Sequence, residues 1–358
     1  MVMSIEEELK ERVLDLGADF VGIASQSRFE HAPDFSDPKT LLPGFRSVVA
    51  FGIAMNRGSL EAWFSKRSRR PQVLSDQLAT DELNRISLQL SRWLERKGHK
   101  TVFVSQNGYY NLIAGRPDFS HKHAAVAAGL GRLGLSSNFV HSRHGAAVHI
   151  SSVLTEAELK PDPLIGDEDN PCHRCKTCLE ICPEQAMCRD QEVSFVMEGQ
   201  EHSHQRLDGL RCAWGCAGLS GHHYKIGKRT VGTWAYNDLP RPTGLVEFFG
   251  KLLEADRFLR HPKELAEMVL TNGTEYCGNC AKICVGSKEE TTALFKMYLN
   301  SGPVKIPDDP SLVLNLITEN QKLEKYRIPE EEIKGLIQEF EGDAEATGYA
   351  ASADAGAE

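Results

Sequence analysis

The stretch Cys172-His-Arg-Cys175-Lys-Thr-Cys178-Leu-Glu-Ile-Cys182-Pro183 decides how this chain is read. Its pattern, C-x2-C-x2-C-x3-C-P, is the spacing with which thiolates hold [4Fe–4S] clusters. A second run, Cys277-Gly-Asn-Cys280-Ala-Lys-Ile-Cys284, returns about a hundred residues later, and all ten cysteines lie between Cys172 and Cys284. Two runs of complementary spacing predict two clusters, and with them one-electron chemistry.

Each cubane needs four thiolates. In two-cluster proteins of this spacing, the cysteine before the proline serves the other cluster. Cys172, Cys175 and Cys178 therefore need a distant fourth ligand. Cys284 is the expected one, because the x3 after Cys280 copies the x3 after Cys178. The second cluster takes Cys182, Cys277 and Cys280 and lacks one thiolate, for which Cys188, Cys212 and Cys216 are candidates. Zinc also uses paired C-x2-C, but it closes on four ligands and has no use for the third and fourth cysteines of the first run. Disulfides would imply an exported chain. A redox C-x-x-C needs only one pair.

The length allows about two domains, and the apolar fraction of 41% supports a core. No apolar run approaches a membrane span. The start, Met1-Val-Met-Ser-Ile-Glu-Glu7, is acidic and unlike an export signal, and Arg69-Arg70 lies too far inside for a twin-arginine signal. Many thiols without an export signal point to a reducing cytosol and a cytoplasmic protein. A net charge of −9 disfavours a broad phosphate-binding surface, while leaving room for a local basic patch.

Ser4-Ile-Glu-Glu7 is a capping box, and Ile5, Leu9, Val13 and Leu16 continue as a helical stripe ended by Gly17. Strands are expected at Phe20–Ala24, Ser47–Ile53, Thr101–Val104 and Ala147–Leu154. A long helix is expected from about Asp76 to Lys97, and a short Ala-rich one from Ser120 to Ala128. Strands alternating with helices predict an α/β domain over 1–160. A double-cluster domain follows over 165–290, with a long insertion at 213–276. Helices such as Thr291–Leu299 and Pro329–Phe340 make up an extension over 291–342. The Ala/Gly/Asp/Ser-rich tail at 343–358 is expected to be disordered. Within the first domain, Ser120-His121-Lys122-His123 opens a small-residue helix that enters a glycine-rich turn at Gly129, Leu130, Gly131 and Gly134. Glycines there permit either close packing or close approach to a flat ligand. The turn is neither a phosphate loop nor a Rossmann fingerprint.

With these segments together, the chain resembles the cobalamin-dependent iron–sulfur reductases, the group of reductive dehalogenases and epoxyqueuosine reductases. The resemblance rests on Gly17-Ala-Asp-Phe-Val-Gly-Ile-Ala24, Leu42-Pro-Gly-Phe-Arg-Ser-Val-Val-Ala50, Ala128-Gly-Leu-Gly131 with Gly134, Gly145, Ser152-Val-Leu-Thr-Glu156 and the two cysteine runs. It implies an α/β (α+β) nitroreductase-like N-terminal domain followed by a ferredoxin-like double-cluster domain. It implies cobalamin held base-off against Gly129, Leu130, Gly131 and Gly134, with His149 where many relatives carry arginine. It also implies that a lone cysteine between the runs completes the second cluster, which selects Cys212. The chain departs from the pattern at Gly115, where epoxyqueuosine reductases carry a catalytic aspartate; Asp118 is three residues off register. The tRNA-binding repeats have no obvious counterpart.

These features predict a two-cluster, cobalamin-dependent reductase of a small organic substrate. Its expected electron donor is a ferredoxin or flavodoxin, with no nucleic acid and no membrane as partners. The alternative is an iron–sulfur electron-transfer or accessory protein without a substrate of its own. A reductase needs a proton donor, and Tyr109, Tyr110, His121, Lys122 and His123 precede the turn. Tyrosine suits the role because its high pKa retains the proton until an anion develops. His121 and His123, two apart on a helix, face different ways.

Overall fold

The computed structural model describes residues 3–31, 36–65, 67–68, 70–104, 110–111, 116–216, 242–244, 246–248, 250–251 and 277–301. Helix α1 (Ile5–Asp15) starts at the expected capping box: Glu7 N–H donates to Ser4 Oγ at 3.2 Å and Ser4 N–H to Glu7 Oε2 at 2.9 Å. Its buried residues, Leu9 and Val13, lie on the stripe read from the sequence.

The four expected strands are all present and make one sheet. Strands β1 (Phe20–Ser25), β2 (Ser47–Ala54), β3 (Thr101–Phe103) and a later strand, Val148–Thr155, join in the order β1, β2, Val148–Thr155, β3. Every neighbouring pair is antiparallel. Of the α/β (α+β) expectation, the α+β form is the one observed. Alternation of strand and helix along the chain does not fix strand direction. Here the Val148–Thr155 strand arrives from far along the chain and inserts between β2 and β3, so no direct parallel crossover forms.

The period of two in β2 divides the core between the two faces of the sheet. Val49 and Phe51 join Leu83, Ile86 and Leu90 of the long helix α3 (Arg70–Arg96), preceded by α2 (Arg57–Phe64). Val48 and Ala50 face the small-residue helix α4 (His121–Ala127). That helix comes so close to β1 that a Cβ at Gly22 would lie 2.4 Å from Ala128 O. Between β3 and α4, Tyr110–Asn111 (β4) pairs with Arg116–Pro117 (β5). After α4, β6 (Gly131–Leu133) pairs with β7 (Phe139–His141), and Val148–Thr155 becomes β8.

The second half starts with a short helix α5 (Thr177–Glu180) inside the first cysteine run. A hairpin follows, β9 (Met187–Met197) with β10 (Gln200–Leu207). Its turn places Glu198 at φ 45° and Gly199 at φ 78°, the paired left-handed residues of a tight hairpin turn. Helix α6 (Gly209–Cys216) comes next, and beyond the long insertion α7 (Asn279–Lys282) and α8 (Lys288–Asn300). A third core joins Leu60 and Phe64 of α2, Ile181 and Ile283 from the two cysteine runs, and Leu294 and Leu299 of α8. The helix expected at Thr291–Leu299 is present within α8 and packs into this core. Most of the 213–276 insertion, the Pro329–Phe340 helix and the 343–358 tail lie outside the described residues.

Candidate iron–sulfur centre and its surroundings

The two cysteine runs fold alike. Lys176 (φ 60°) and Gly278 (φ 57°) each hold the left-handed conformation at the N-cap of a single helical turn, and the turns end at Ile181 and Ile283. Cys178 and Cys182 flank one turn as Cys280 and Cys284 flank the other, and α5 and α7 touch each other.

This pairing brings the expected first set together. Cys172, Cys175, Cys178 and Cys284 line one cavity, walled also by Gly134 and Ile283. Burial raises the Cys178 thiol well above its ordinary pKa, and charges on Cys172, Cys280, Cys175 and Cys284 raise it further. Burial likewise pushes Cys284 up to about 11, with Cys172 and Cys175 adding to it.

The second set gathers on the other side of the two turns. Burial dominates at Cys280, pushed up to about 11, with Cys182 the largest charge acting on it. Asn138 Nδ2 donates to Cys280 Sγ at 3.3 Å, and Ala186 N–H donates to Cys182 Sγ at 3.3 Å. Cys277, raised by burial, feels both Cys216 and Cys182. The fourth position has two occupants at hand. Cys212 and Cys216 sit one turn apart on α6 with their sulfurs 3.9 Å apart. The hydrogen bond from Cys212 holds the Cys216 thiol low, at about 6, against burial, and the backbone N–H groups of Cys277 and Gly278 add to this. Cys212, its partner in that bond, is raised, and it too feels Cys280 and Cys277. Cys216, one of the three candidates for the fourth position, therefore stands beside this group together with Cys212. The signal for it was its i, i+4 spacing from Cys212 on a helix.

Among the described residues no three His, Cys, Asp or Glu side chains converge closely enough to hold one metal ion. The donor chemistry, thiols alone in two groups, fits iron–sulfur clusters.

The glycine-rich turn is filled by the protein itself. A Cβ at Gly129 would lie 2.0 Å from Pro163 O, one at Gly131 2.0 Å from Val140 O, and one at Gly134 2.6 Å from Val140 Cγ2 and 3.3 Å from Cys172 Sγ. Leu130 packs over Gly22. The glycines serve close packing of the chain upon itself in the direction a side chain would take. His149, expected beside cobalamin, instead meets Asp76: Nε2 to Oδ1 is 2.9 Å.

The candidate proton donors are scattered. Tyr109 lies outside the described residues, as does the side chain of Tyr110, whose backbone pairs with Pro117. His121 and His123 face opposite ways, as the helical spacing requires. His121 Nδ1 shares a 2.6 Å hydrogen bond with Ser152 Oγ of β8. His123 shares one of 2.6 Å with Ser120 Oγ and meets Phe195 of the hairpin edge-on. Burial lowers the His123 pKa to about 3, with nearby Lys122, His204 and His202 adding to it. Lys122 Nζ donates to Ser137 O and Oγ, both at 2.9 Å, and burial lowers its pKa to about 8.

No family model matches the chain. It is 24% identical to an epoxyqueuosine reductase of Bacillus cereus over 206 residues, covering 51% of this chain and 53% of that one. It is 30% identical to a tetrachloroethene reductive dehalogenase of Dehalobacter restrictus over 119 residues, covering 31% of this chain and 22% of the other. A solved epoxyqueuosine reductase bound to an epoxyqueuosine-modified tRNA-Tyr stem loop aligns with 82% of this chain and 80% of its own, at 19% identity and TM-score 0.40. The exclusion of nucleic-acid partners does not survive these matches, since a relative of this kind is solved with tRNA. Net charge averages over the whole surface, whereas a nucleic-acid site needs only a local patch. Among the described residues no helix is long and apolar enough to cross a membrane. The chain spans about half the length of the epoxyqueuosine reductase it matches, and a smaller part of the dehalogenase. Along that shared length it is similar to epoxyqueuosine reductases and to reductive dehalogenases, the two groups its motifs resemble.

Proposed function

We propose that the chain is a reductase fed by two [4Fe–4S] clusters. The single observation that carries this reading is the lining of one cavity by Cys172, Cys175 and Cys178 of the first run and Cys284 of the second, two runs that each also supply the opposite group. The second cluster is held by Cys182, Cys277 and Cys280, with Cys212 as the fourth ligand and Cys216 beside it. Residues 1–160 act as a nitroreductase-like half and 165–290 as a ferredoxin-like half. The similarity to two groups of reductases supports turnover of a substrate over a relay role.

Cobalamin is the cofactor that the resemblance implies. The turn at Gly129, Leu130, Gly131 and Gly134 packs against the chain's own Pro163 and Val140, and the proposed function rests on the clusters alone. Among the described donor candidates, Lys122 fits proton delivery best. Its pKa of about 8 suits a general acid at neutral pH. Its partner Ser137 adjoins Asn138, the donor to Cys280 Sγ.

Anaerobic reconstitution tests this reading. The chain should hold about eight irons in two cubanes. Reduced with a chemical donor, with and without added cobalamin, it should turn over either an epoxyqueuosine-modified tRNA stem loop or tetrachloroethene. Zinc in place of iron would overturn the cluster assignment. Iron-loaded protein that cycles its clusters and reduces neither compound would overturn the reductase reading and leave the relay.

A further inference from the structure

The two helical turns that carry the clusters are alike in backbone and opposite in charge. Glu180 on α5 and Lys282 on α7 occupy the same place, two residues after Cys178 and Cys280 respectively. Both are buried. Glu180 pairs with Arg189 at 2.6 Å. Lys282 is built into a network from the first domain: its Nζ lies 3.2 Å from Asp76 Oδ2 and 4.3 Å from the centre of the Trp63 ring. Asp76 is held in turn by His149 at 2.9 Å and by Gln72 at 2.6 Å. Trp63 Nε1 donates to Asn279 Oδ1 at 2.9 Å, which fixes the start of the same turn. On its other side Lys282 Nζ reaches Cys277 O at 3.4 Å and would meet a Cβ at Gly278 at 3.0 Å. The cation thus faces the second cysteine group, with its anionic partner on the far side.

We infer that Lys282, held by Asp76, raises the reduction potential of the second cluster above that of the first. This rests on the two-cluster reading. Adding an electron makes a cluster more negative. A buried, desolvated cation on one side favours that state far more than an exposed one does. At the equivalent place beside the first cluster stands Glu180, and the cations lining that cavity, Arg174, Lys176 and Lys288, are more exposed than Lys282, so the first cluster keeps the lower potential. An electron arriving on either cluster then settles on the second.

The test is a redox titration of the iron-loaded full chain, followed by electron paramagnetic resonance. Cys277→Ser identifies the second cluster by the signal it removes. Lys282→Met should keep about eight irons. It should lower the second midpoint by at least the equivalent of a tenfold change in the reduced-to-oxidised ratio, about 59 mV for one electron, and shift the first by less. Lys282→Arg should restore most of the difference. Asp76→Asn, which removes the opposing charge, should move the same midpoint upward. Unchanged midpoints in Lys282→Met, or equal shifts of both, would overturn the inference. Should Lys282→Met fail to bind iron, Asp76→Asn decides, and a second midpoint that does not rise counts against it. Native protein without iron would instead defeat the two-cluster reading before any variant is made.

Discussion

Lys122 shows what one buried charge does to this protein. Its pKa falls from the ordinary 10.5 to about 8 because burial penalises the charged form. Between those values the unfolded chain holds a proton that the folded chain has released. Stability therefore rises with pH across that window, and the penalty is full below about pH 8. At 1.36 kcal/mol per pKa unit the effect is about 3 kcal/mol at most. Lys122→Met should remove it. Denaturant unfolding at about pH 7.5 and pH 9.5 should show native protein gaining on the variant as pH rises, and parallel curves would refute the assignment. The spacing of His121 and His123 announced their divergence, since residues two apart on a helix cannot share a face. The partner of His149 was not legible, because Asp76 lies on α3 and only the fold brings the two together. The glycine turn was legible as a place of close approach but not as to what approaches. At Gly131 it is the protein's own Val140 carbonyl.

Elements were easiest to read where apolar residues set the period. The four strands of the main sheet and helices α1, α3 and α4 stand within a few residues of their expected places, apart from an earlier start to α3. The hairpin β9–β10 was missed. Arg189-Asp-Gln-Glu192 near its start is a run of four polar residues, and much of β9 is exposed, so it shows little of the pattern a buried strand leaves. Its one clear signal was Glu198-Gly199 between two stretches of β-formers. That turn can be tested cleanly, because nothing lies within 4 Å of a Cβ placed on Gly199. Gly199→Ala should cost about 1 kcal/mol, all of it from forcing a side-chain-bearing residue to φ 78°. A loss well above that, measured by thermal unfolding, would mean that the turn also supports a contact elsewhere.

The whole molecule depends on the meeting of its two cysteine runs. Ile181 and Ile283 sit in one core with α2 and α8, so the loops that would carry the clusters also tie the first domain to the last described helix. Cys284→Ser should lose about half of the iron, the share held with Cys172, Cys175 and Cys178. It should also lower the unfolding temperature by several degrees in a single transition. Loss of iron with two separate transitions would show that the halves unfold independently. The sequence could pair the runs by their spacing but could not order the sheet. The insertion of β8 between β2 and β3 is a long-range choice that no local pattern records.

The cavity that Cys284 completes also fixes a sequence of events in the cell. Three of its walls leave the ribosome well before the fourth, and the carbonyl of Cys284 must then receive the Ala147 N–H at 2.9 Å to seat the second run against the first domain. Iron delivered early would find only three thiols of the first group and an open loop. The first group of thiols is therefore complete only once the second run has been made. A nascent chain stalled within the insertion would expose reduced cysteines to oxygen with no cluster to protect them.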